Sequence, residues 1–599
     1  MLEGSRVIEL SADVAGAFTG RLLAAYGADV IVVEPPTGHA IRSLPPRAGN
    51  DPNQSILFAY LGAGKRSVTM DLDDPAAIRS LHDLIASADV VIDTYAPGHL
   101  ASKGLDPAAL IQEFPSLVVC SITPWGQSGP RASWRATALT AAASGGQMAV
   151  CGDPDMPPLK TAGHQAHYQA GLHGFSAALT ALYAVSKSGI GDWIDISIQE
   201  VQASTLEGGG PNAVNTGSEG SRGGNRTFAQ WGIQECKDGF IGVAAMPRQS
   251  FAIYDAIGQP ELKDDPAFAS GWSPPANEVL SVLIPEWTAE RNAADIFAHA
   301  AKFRAPFSMI PGPRELLEWP GLKDVRFWKE VEHPVLGRHP FPSGPIEFGD
   351  GSRGTVGRAP LLGEHNAELL GKPAVPAARP AVAPKGPVRP PLDGIRVVDV
   401  TQVWAGPYGT RFLADMGAEV IKVEGPSFAD PIRTMGGARS APEINQSHYF
   451  NEYNRNKWGV SLDIKQPEGM EALKRLIAKS DVFIENWSSG VADRLGLGYA
   501  DVKALNPRII YISMPGFGHK GRDAARIGFG PSIEQMGGLV ALQGYPGGPP
   551  HRSGISYGDP ISGGVAAGAI AMMLRHRELT GESSYAVIPQ RDAIILLMA

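Results

Sequence analysis

The chain repeats itself, and that repeat limits what it can fold into more than any other feature. Residues 4–34 run from Gly4-Ser5 into an apolar strand, Arg6–Leu10, and a small-residue turn through Ala15-Gly16. A helix-like stretch to Tyr26 follows, then Gly27-Ala28-Asp29 and a second apolar run, Val30–Val33, ending at Glu34. Residues 394–424 do the same: Gly394, Val397–Val400, Ala405-Gly406, a helix to Met416, Gly417-Ala418-Glu419, Val420–Val423 and Glu424. Each is a strand–helix–strand unit, the connection that parallel strands require. Lys65-Arg66-Ser67 and Asp71 then match Lys457-Trp458-Gly459 and Asp463, and residues 88–93 match 480–485. Gly152, Pro157 and Pro158 match Gly544, Pro549 and Pro550. The offset stays at 392 without a gap for about ninety residues, which identifies a duplicated α/β domain.

The copies differ in extent. After Ser197-Ile198-Gln199-Glu200 the first runs through a Gly-rich loop, Gly208-Gly209-Gly210 to Gly223-Gly224. A strand-like Gly239–Ala245 and a mixed region to about 340 follow, and the copy closes with Arg358-Ala359-Pro360-Leu361-Leu362-Gly363-Glu364. Residues 371–391 are rich in Pro and Ala and read as an extended linker. The second copy has no equivalent of residues 208–370, so the chain is expected either to be a fragment or to supply those parts to its second half from elsewhere.

Composition excludes several classes of function. Charged residues are 19% of the chain, the net charge is −9, and neither sign forms long runs, so no nucleic-acid footprint or polybasic membrane tether is present. Cys120, Cys151 and Cys236 have neither paired nor metal-like spacing, which argues against a disulfide framework or a structural zinc site and fits a reducing cytoplasm. The start, MLEGSRVIEL, lacks the basic and apolar regions of a signal peptide, and apolar stretches such as Val565–Leu574 are too short for a bilayer span. A soluble cytoplasmic protein is expected.

The richest stretch is 552–564, Arg-Ser-Gly-Ile-Ser-Tyr-Gly-Asp-Pro-Ile-Ser-Gly-Gly. Asp559 sits among small residues that let another backbone or a ligand come close. Taken alone it reads as the N-cap of a helix over Val565 to Arg575. The repeat adds a second fact: at the offset of 392 its counterpart is His167, in Gly163-His164-Gln165-Ala166-His167. His164 and His167, with no carboxylate or Cys nearby, read as structural rather than metal-binding histidines.

Together these residues carry a resemblance. DVTQVWAGPYGTRFLADMGAEVIKVE, YFNEYNRNKWGVSLDIK, DVFIENW, ADRLGLGYADVKALNPRIIYISMPGFG and the Gly558-Asp559 segment resemble, in order and spacing, the class III CoA-transferases of the CaiB/BaiF family. The first copy carries the same series more loosely, and RAPLLGEHNAELL resembles the family's C-terminal signature. The resemblance implies Rossmann-like large domains with parallel sheets, a smaller α+β domain, and two interlocked units, here fused into an intrachain pseudo-dimer that could also form a homo-oligomer. The expected divisions are 1–205 and 392–599 as large domains, 206–345 as small domain, 346–370 as return segment and 371–391 as linker. It also implies acyl-CoA and a free carboxylic acid as substrates, coenzyme A as the group moved, no metal, and Asp559 as nucleophile. Such a carboxylate attacks a thioester, passes through a mixed anhydride and becomes an aspartyl-CoA thioester, without a partnering His. Gly558, Gly563 and Gly564 are the expected backbone support for its oxyanions, and residues 208–224 the loop that closes over the intermediates.

Carried over residue by residue, the CoA contacts fall on Val403, Trp404, Ala405, Leu462, Lys465, Asn486, Trp487, Arg494 and Leu495. The first copy has Asp73, Thr94 and Ser102 in place of Lys465, Asn486 and Arg494, which removes two cations and adds an anion. The second copy is therefore the expected working site and the first a degenerate partner. Gly425 stands where some relatives hold CoA with an arginine, leaving Arg433 and Arg526 to compensate. Alternatives within the fold are an α-methylacyl-CoA racemase, which needs a His where Gly528-Phe529-Gly530 and Thr137 stand, and a transferase coupled to lyase chemistry of the dimethylsulfoniopropionate type. The latter needs an aromatic cage, for which Trp404, Tyr453, Trp458 and Trp487 are candidates. A dinucleotide-binding dehydrogenase fits poorly, because Pro407 stands where a pyrophosphate wants an N–H. A non-catalytic CoA-binding scaffold is the remaining alternative.

Overall fold

The computed structural model describes every residue except 208, 218, 372–388, 436–443 and 599. The expected linker falls outside the described residues apart from 371 and 389–391. In the first copy, β1 (Arg6–Leu10), α1 (Val14–Ala25), β2 (Asp29–Glu34), β3 (Arg66–Thr69), β4 (Val90–Asp93), β5 (Val118–Thr123), the long helix α2 (Gln165–Ser188) and β6 (Trp193–Ser197) build a doubly wound unit. Its six strands lie in the order β3-β2-β1-β4-β5-β6, all parallel. The near-continuous apolar character of runs such as Val30–Val33 follows from burial on both faces.

The chain then leaves the sheet. An antiparallel sheet, ordered β10-β9-β8-β7, is made of β7 (Arg226–Phe228), β8 (Trp231–Cys236), β9 (Gly239–Ala244) and β10 (Phe307–Ser308). A hairpin, β11 (Trp328–His333) and β12 (Gly337–Pro342), follows. The short β13 (Glu347–Phe348) joins the other copy's sheet.

That sheet contains β14 (Arg396–Asp399), β15 (Glu419–Glu424), β16 (Trp458–Ser461), β17 (Val482–Glu485), β18 (Ile510–Ser513) and β19 (Tyr585–Val587), with helices α3 (Ala405–Asp415) and α4 (Gly558–Thr580). The order is β13-β19-β18-β17-β14-β15-β16. Its register repeats the first: Val397 faces Val420 and Val482 as Val7 faces Val30 and Val90. The added strand pairs antiparallel, Glu347 with Val587 and Phe348 with Ala586. The strand is held at its own end by buried charge. Arg353 bonds Glu347 and Asp592, both at 2.6 Å, and Arg591 bonds Asp523 at 2.8 Å.

The two copies share one core. Helix α4 is apolar around its circumference and buried along most of its length, so it cannot be a surface helix. It packs between α2 and α3, and one hydrophobic cluster runs through both copies. Small residues set how closely the helices approach. A Cβ on Gly564 would stand 2.8 Å from Leu172, one on Gly568 2.5 Å from Phe175, and Ser176 Oγ donates to the Gly564 carbonyl at 2.9 Å. Gly171 and Gly563 do the same against α1 and α3, where a Cβ would lie 2.6 Å from the Ala15 oxygen and 2.5 Å from the Ala405 oxygen. Both long helices stop at a left-handed glycine, Gly189 and Gly581, equivalent positions where a Cβ would be strained.

Candidate active site

Helix α3 presents an uncapped N-terminus. Trp404 precedes it and makes no side-chain cap, so the Ala405 and Gly406 N–H groups of the first turn lack a capping side chain, an arrangement suited to an anion. The turn before it is strained: Val403 has φ +67°, a region that a β-branched residue occupies at a cost of ~1–3 kcal/mol. Buried charge holds it there. Val403 N–H donates to Asp430 Oδ1 at 3.0 Å, and Asp430 pairs with Lys422 at 2.9 Å. Behind it, Lys457 meets Asp399 at 3.1 Å. Although burial works the other way, the Lys457 and Lys422 ammoniums hold Asp399 down to about 2. Burial brings Lys457 down to about 8.

Asp559 lies opposite. It is not the cap of its helix: α4 begins at Gly558, seven residues earlier than the sequence suggested, and places Asp559 inside the first turn, 7% exposed. Its Oδ2 has no hydrogen-bond partner among the described residues, and a Cβ on Gly530 would sit 2.1 Å from it. Burial, then the nearby Glu207 carboxyl, push its pKa well above the usual carboxylate range, and the Ala405 backbone N–H acts against them. An unsatisfied buried carboxyl beside a helix N-terminus is costly as structure and apt as a nucleophile.

Asp559 and the α3 turn line one cleft of about 320 Å³, together with Gln402, Val403, Trp404, Ala405, Asn486, Trp487, Ser488 and Val491. Five of the nine positions matched to CoA contacts are therefore gathered there. Asn486 is engaged by the chain itself, because its amide clamps Gln402 through Gln402 N–H at 2.8 Å and Gln402 O at 2.7 Å. Trp487 N–H is fixed by Glu485 at 2.7 Å. Leu462 and Leu495 pack with Trp487 on the outer face of the sheet, while Lys465 and Arg494 are exposed beyond the cleft.

The glycine expectation needs correction. Gly563 and Gly564 lie inside α4, where their N–H groups belong to the helical ladder, and their missing Cβ atoms serve helix packing. Gly558 opens the helix and packs against Ile533. The compensating arginines are also elsewhere. Arg433 forks onto Glu424 at 2.7 Å, and Arg526 pairs with Asp523 while lying 3.4 Å over Phe297. Instead Arg248 and Arg304 line the cleft, with Trp231 and Gln249. All four belong to the first copy, as does Glu207, whose carboxylate accepts from Ser556 N–H. Sequence reasoning missed them; the only local signal was that Glu207 immediately precedes the triple glycine.

The first copy closes what the second leaves open. Asp13 caps α1, accepting from Ala15 N at 2.9 Å and Gly16 N at 3.2 Å, and so fills its own helix N-terminus. Asp73 pairs with Lys103. His167 sits at the Asp559 position with its Nδ1 buried and unpartnered among the described residues, and burial holds it and His164 at about 4, neutral at pH 7. No group of three or more His, Cys, Asp or Glu that could hold a metal occurs among the described residues, and no helix among them is long and apolar enough to cross a membrane.

Comparison with known proteins identifies the family. The family described as CoA-transferase family III matches residues 2–366 and 392–599. The "Probable CoA-transferase Rv1866" of Mycobacterium tuberculosis is 31% identical over 595 residues, covering 96% of this chain and 73% of that protein. The succinyl-CoA:glutarate CoA-transferase of Mus musculus is 41% identical over 196 residues, 33% of this chain, and the match spans less than half of the mouse protein, 44%. A CAIB/BAIF family protein from Brucella suis superposes with a TM-score of 0.54 at 30% identity, covering 61% of this chain and 97% of that one. Two matched segments, one on each side of the linker, fit the duplication read from the sequence, and the chain belongs to CoA-transferase family III.

Proposed function

We propose that the protein transfers CoA from an acyl-CoA to a free carboxylic acid at a single site, with Asp559 as nucleophile. One observation carries the reading: a buried carboxyl on the first turn of α4, its Oδ2 unpartnered among the described residues, shares a cleft with the uncapped N-terminus of α3. The names of relatives support it: one is a probable CoA-transferase and another a succinyl-CoA:glutarate CoA-transferase. Asp559, ionised, attacks the thioester carbonyl; CoA thiolate leaves and a mixed anhydride remains. The thiolate then attacks the aspartyl carbonyl, releasing the first acid and leaving an aspartyl-CoA thioester. The acceptor carboxylate repeats the exchange in reverse, so Asp559 is regenerated as the new acyl-CoA departs. Each tetrahedral oxyanion needs donors that do not reorganise, and the Ala405 N–H at the head of α3 is the one that faces the Asp559 carboxyl. Arg248, Arg304, Lys465 and Arg494 offer the cations that phosphates require. The racemase alternative loses support because no histidine lines the cleft among the described residues. Incubation with succinyl-CoA followed by hydroxylamine tests the reading. A hydroxamate at Asp559 by peptide mass, absent from Asp559→Asn, is expected; CoA binding with no modification would support a scaffold instead.

A further inference from the structure

The turn that leads into Asp559 carries two unsatisfied cationic donors and one borrowed anion. Arg552 makes no ion pair among the described residues, and its Nε and Nη1 are buried without partners. Its neighbour Glu534 does not neutralise it: Glu534 Oε1 accepts from Ser553 N–H at 2.9 Å and from Gln543, and burial raises the group to about 8. Four residues on, the Ser556 N–H is taken by Glu207, which reaches across from the first copy on a backbone at φ +53°. The Asp559 N–H in turn bonds Ser556 O at 2.9 Å, so this carboxylate sits on the turn that carries the nucleophile. A second carboxylate beside a nucleophilic Asp is repulsive, yet the transfer reaction needs that place for a carboxylate, the acceptor's own.

We propose that Glu207 is a placeholder, filling in the resting protein the subsite where the Ser556 N–H and the Arg552 guanidinium hold the carboxylate of the acceptor acid beside Asp559. The inference rests on the transferase reading above. When Glu207 withdraws, the incoming acid takes over the Ser556 N–H and also engages the Arg552 guanidinium, which Glu207 leaves unpaired. A guanidinium suits this role because its planar fork matches a carboxylate.

Binding of ¹³C-acetate to the full chain, followed by NMR titration, tests this. Glu207→Ala should bind acetate about threefold or more tighter than wild type, because the competing carboxylate is gone. Glu207→Gln should fall between the two, since its amide oxygen still fills the Ser556 N–H without the charge. Arg552→Gln should lose acetate binding; if it does not fold, Arg552→Lys, which retains charge but not the fork, should bind more weakly than wild type. Equal tightening in the Gln and Ala variants would reduce Glu207 to a repulsive charge and overturn the proposal, as would undiminished binding in the Arg552 variant. Hydroxylamine trapping from succinyl-CoA needs no acceptor, so an intact adduct alongside these negative results overturns the placeholder alone.

Discussion

The two copies repeat the same strand order and register, and both bury a lysine against a carboxylate on their first strand: Lys65 with Glu9 at 2.6 Å, and Lys457 with Asp399 at 3.1 Å. Both tie the turn after that strand to the fourth strand's end, through Thr94 to Ala12 N–H and through Asn486 to Gln402 N–H. They part at the head of the first helix and at the Asp559 position. The second copy leaves the N-terminus of α3 bare beneath a strained valine and buries an unpaired Asp; the first caps α1 with Asp13 and has a neutral imidazole instead. What holds the sheet has been retained, whereas what would meet a ligand has been replaced by internal partners. An unused helix N-terminus is filled by the chain itself because open N–H groups are expensive to bury.

The sharpest break of this comparison is at the nucleophile. Asp559→Asn should cut transfer by roughly 10³-fold or more, while His167→Asn leaves it within about twofold, measured as steady-state rates. The same Asp559 substitution should stabilise the fold. A carboxyl whose folded pKa is raised costs nothing while protonated in both states and destabilises as pH rises above its unfolded value near 4. Asp559→Asn should therefore melt higher than wild type at pH 8, and the gap should close below pH 4.

Packing should behave alike in both copies. Gly171→Ala and Gly563→Ala each push a methyl into a facing backbone and should each cost ~1–3 kcal/mol in urea unfolding. A loss of activity from Gly563→Ala without loss of stability would return that glycine to the oxyanion role. Next, Val403→Asp copies the first copy's cap into the second and should weaken CoA binding roughly tenfold by calorimetry, as the new carboxylate takes the N–H groups. The reverse change, Asp13→Ala, should cost ~1 kcal/mol of stability and leave transfer unchanged. The smallest effect is expected at the exposed cations, where Lys465→Ala or Arg494→Ala weakens CoA binding about two- to fivefold and less at high salt.

Duplication and the parallel α/β units were legible because they rest on local patterns repeated at a constant spacing. Val403, Trp404, Ala405, Asn486 and Trp487 were named through the family resemblance, and the structure places them with Asp559 along one cleft. The first-copy wall was not legible. Arg248, Arg304 and Glu207 lie hundreds of residues from Asp559 in sequence, and none sits in a pattern that announces a ligand. The left-handed Val403 was illegible in another way, since valine is among the last residues expected there and only the buried Asp430 and Lys422 make it tenable.

The short strand Glu347–Phe348 has a consequence for how such a chain can change over generations. It closes the edge of a sheet whose other members lie after the linker, and the same preceding region supplies Arg248 and Arg304 to the cleft. A first half with His167 in place of the proposed nucleophile would ordinarily be free to decay or to be deleted. Here its loss would expose a strand edge and strip the surviving site of a wall. On the proposed reading the first copy is a structural component of its twin, and residues 392–599 alone would lack both that edge strand and those two arginines.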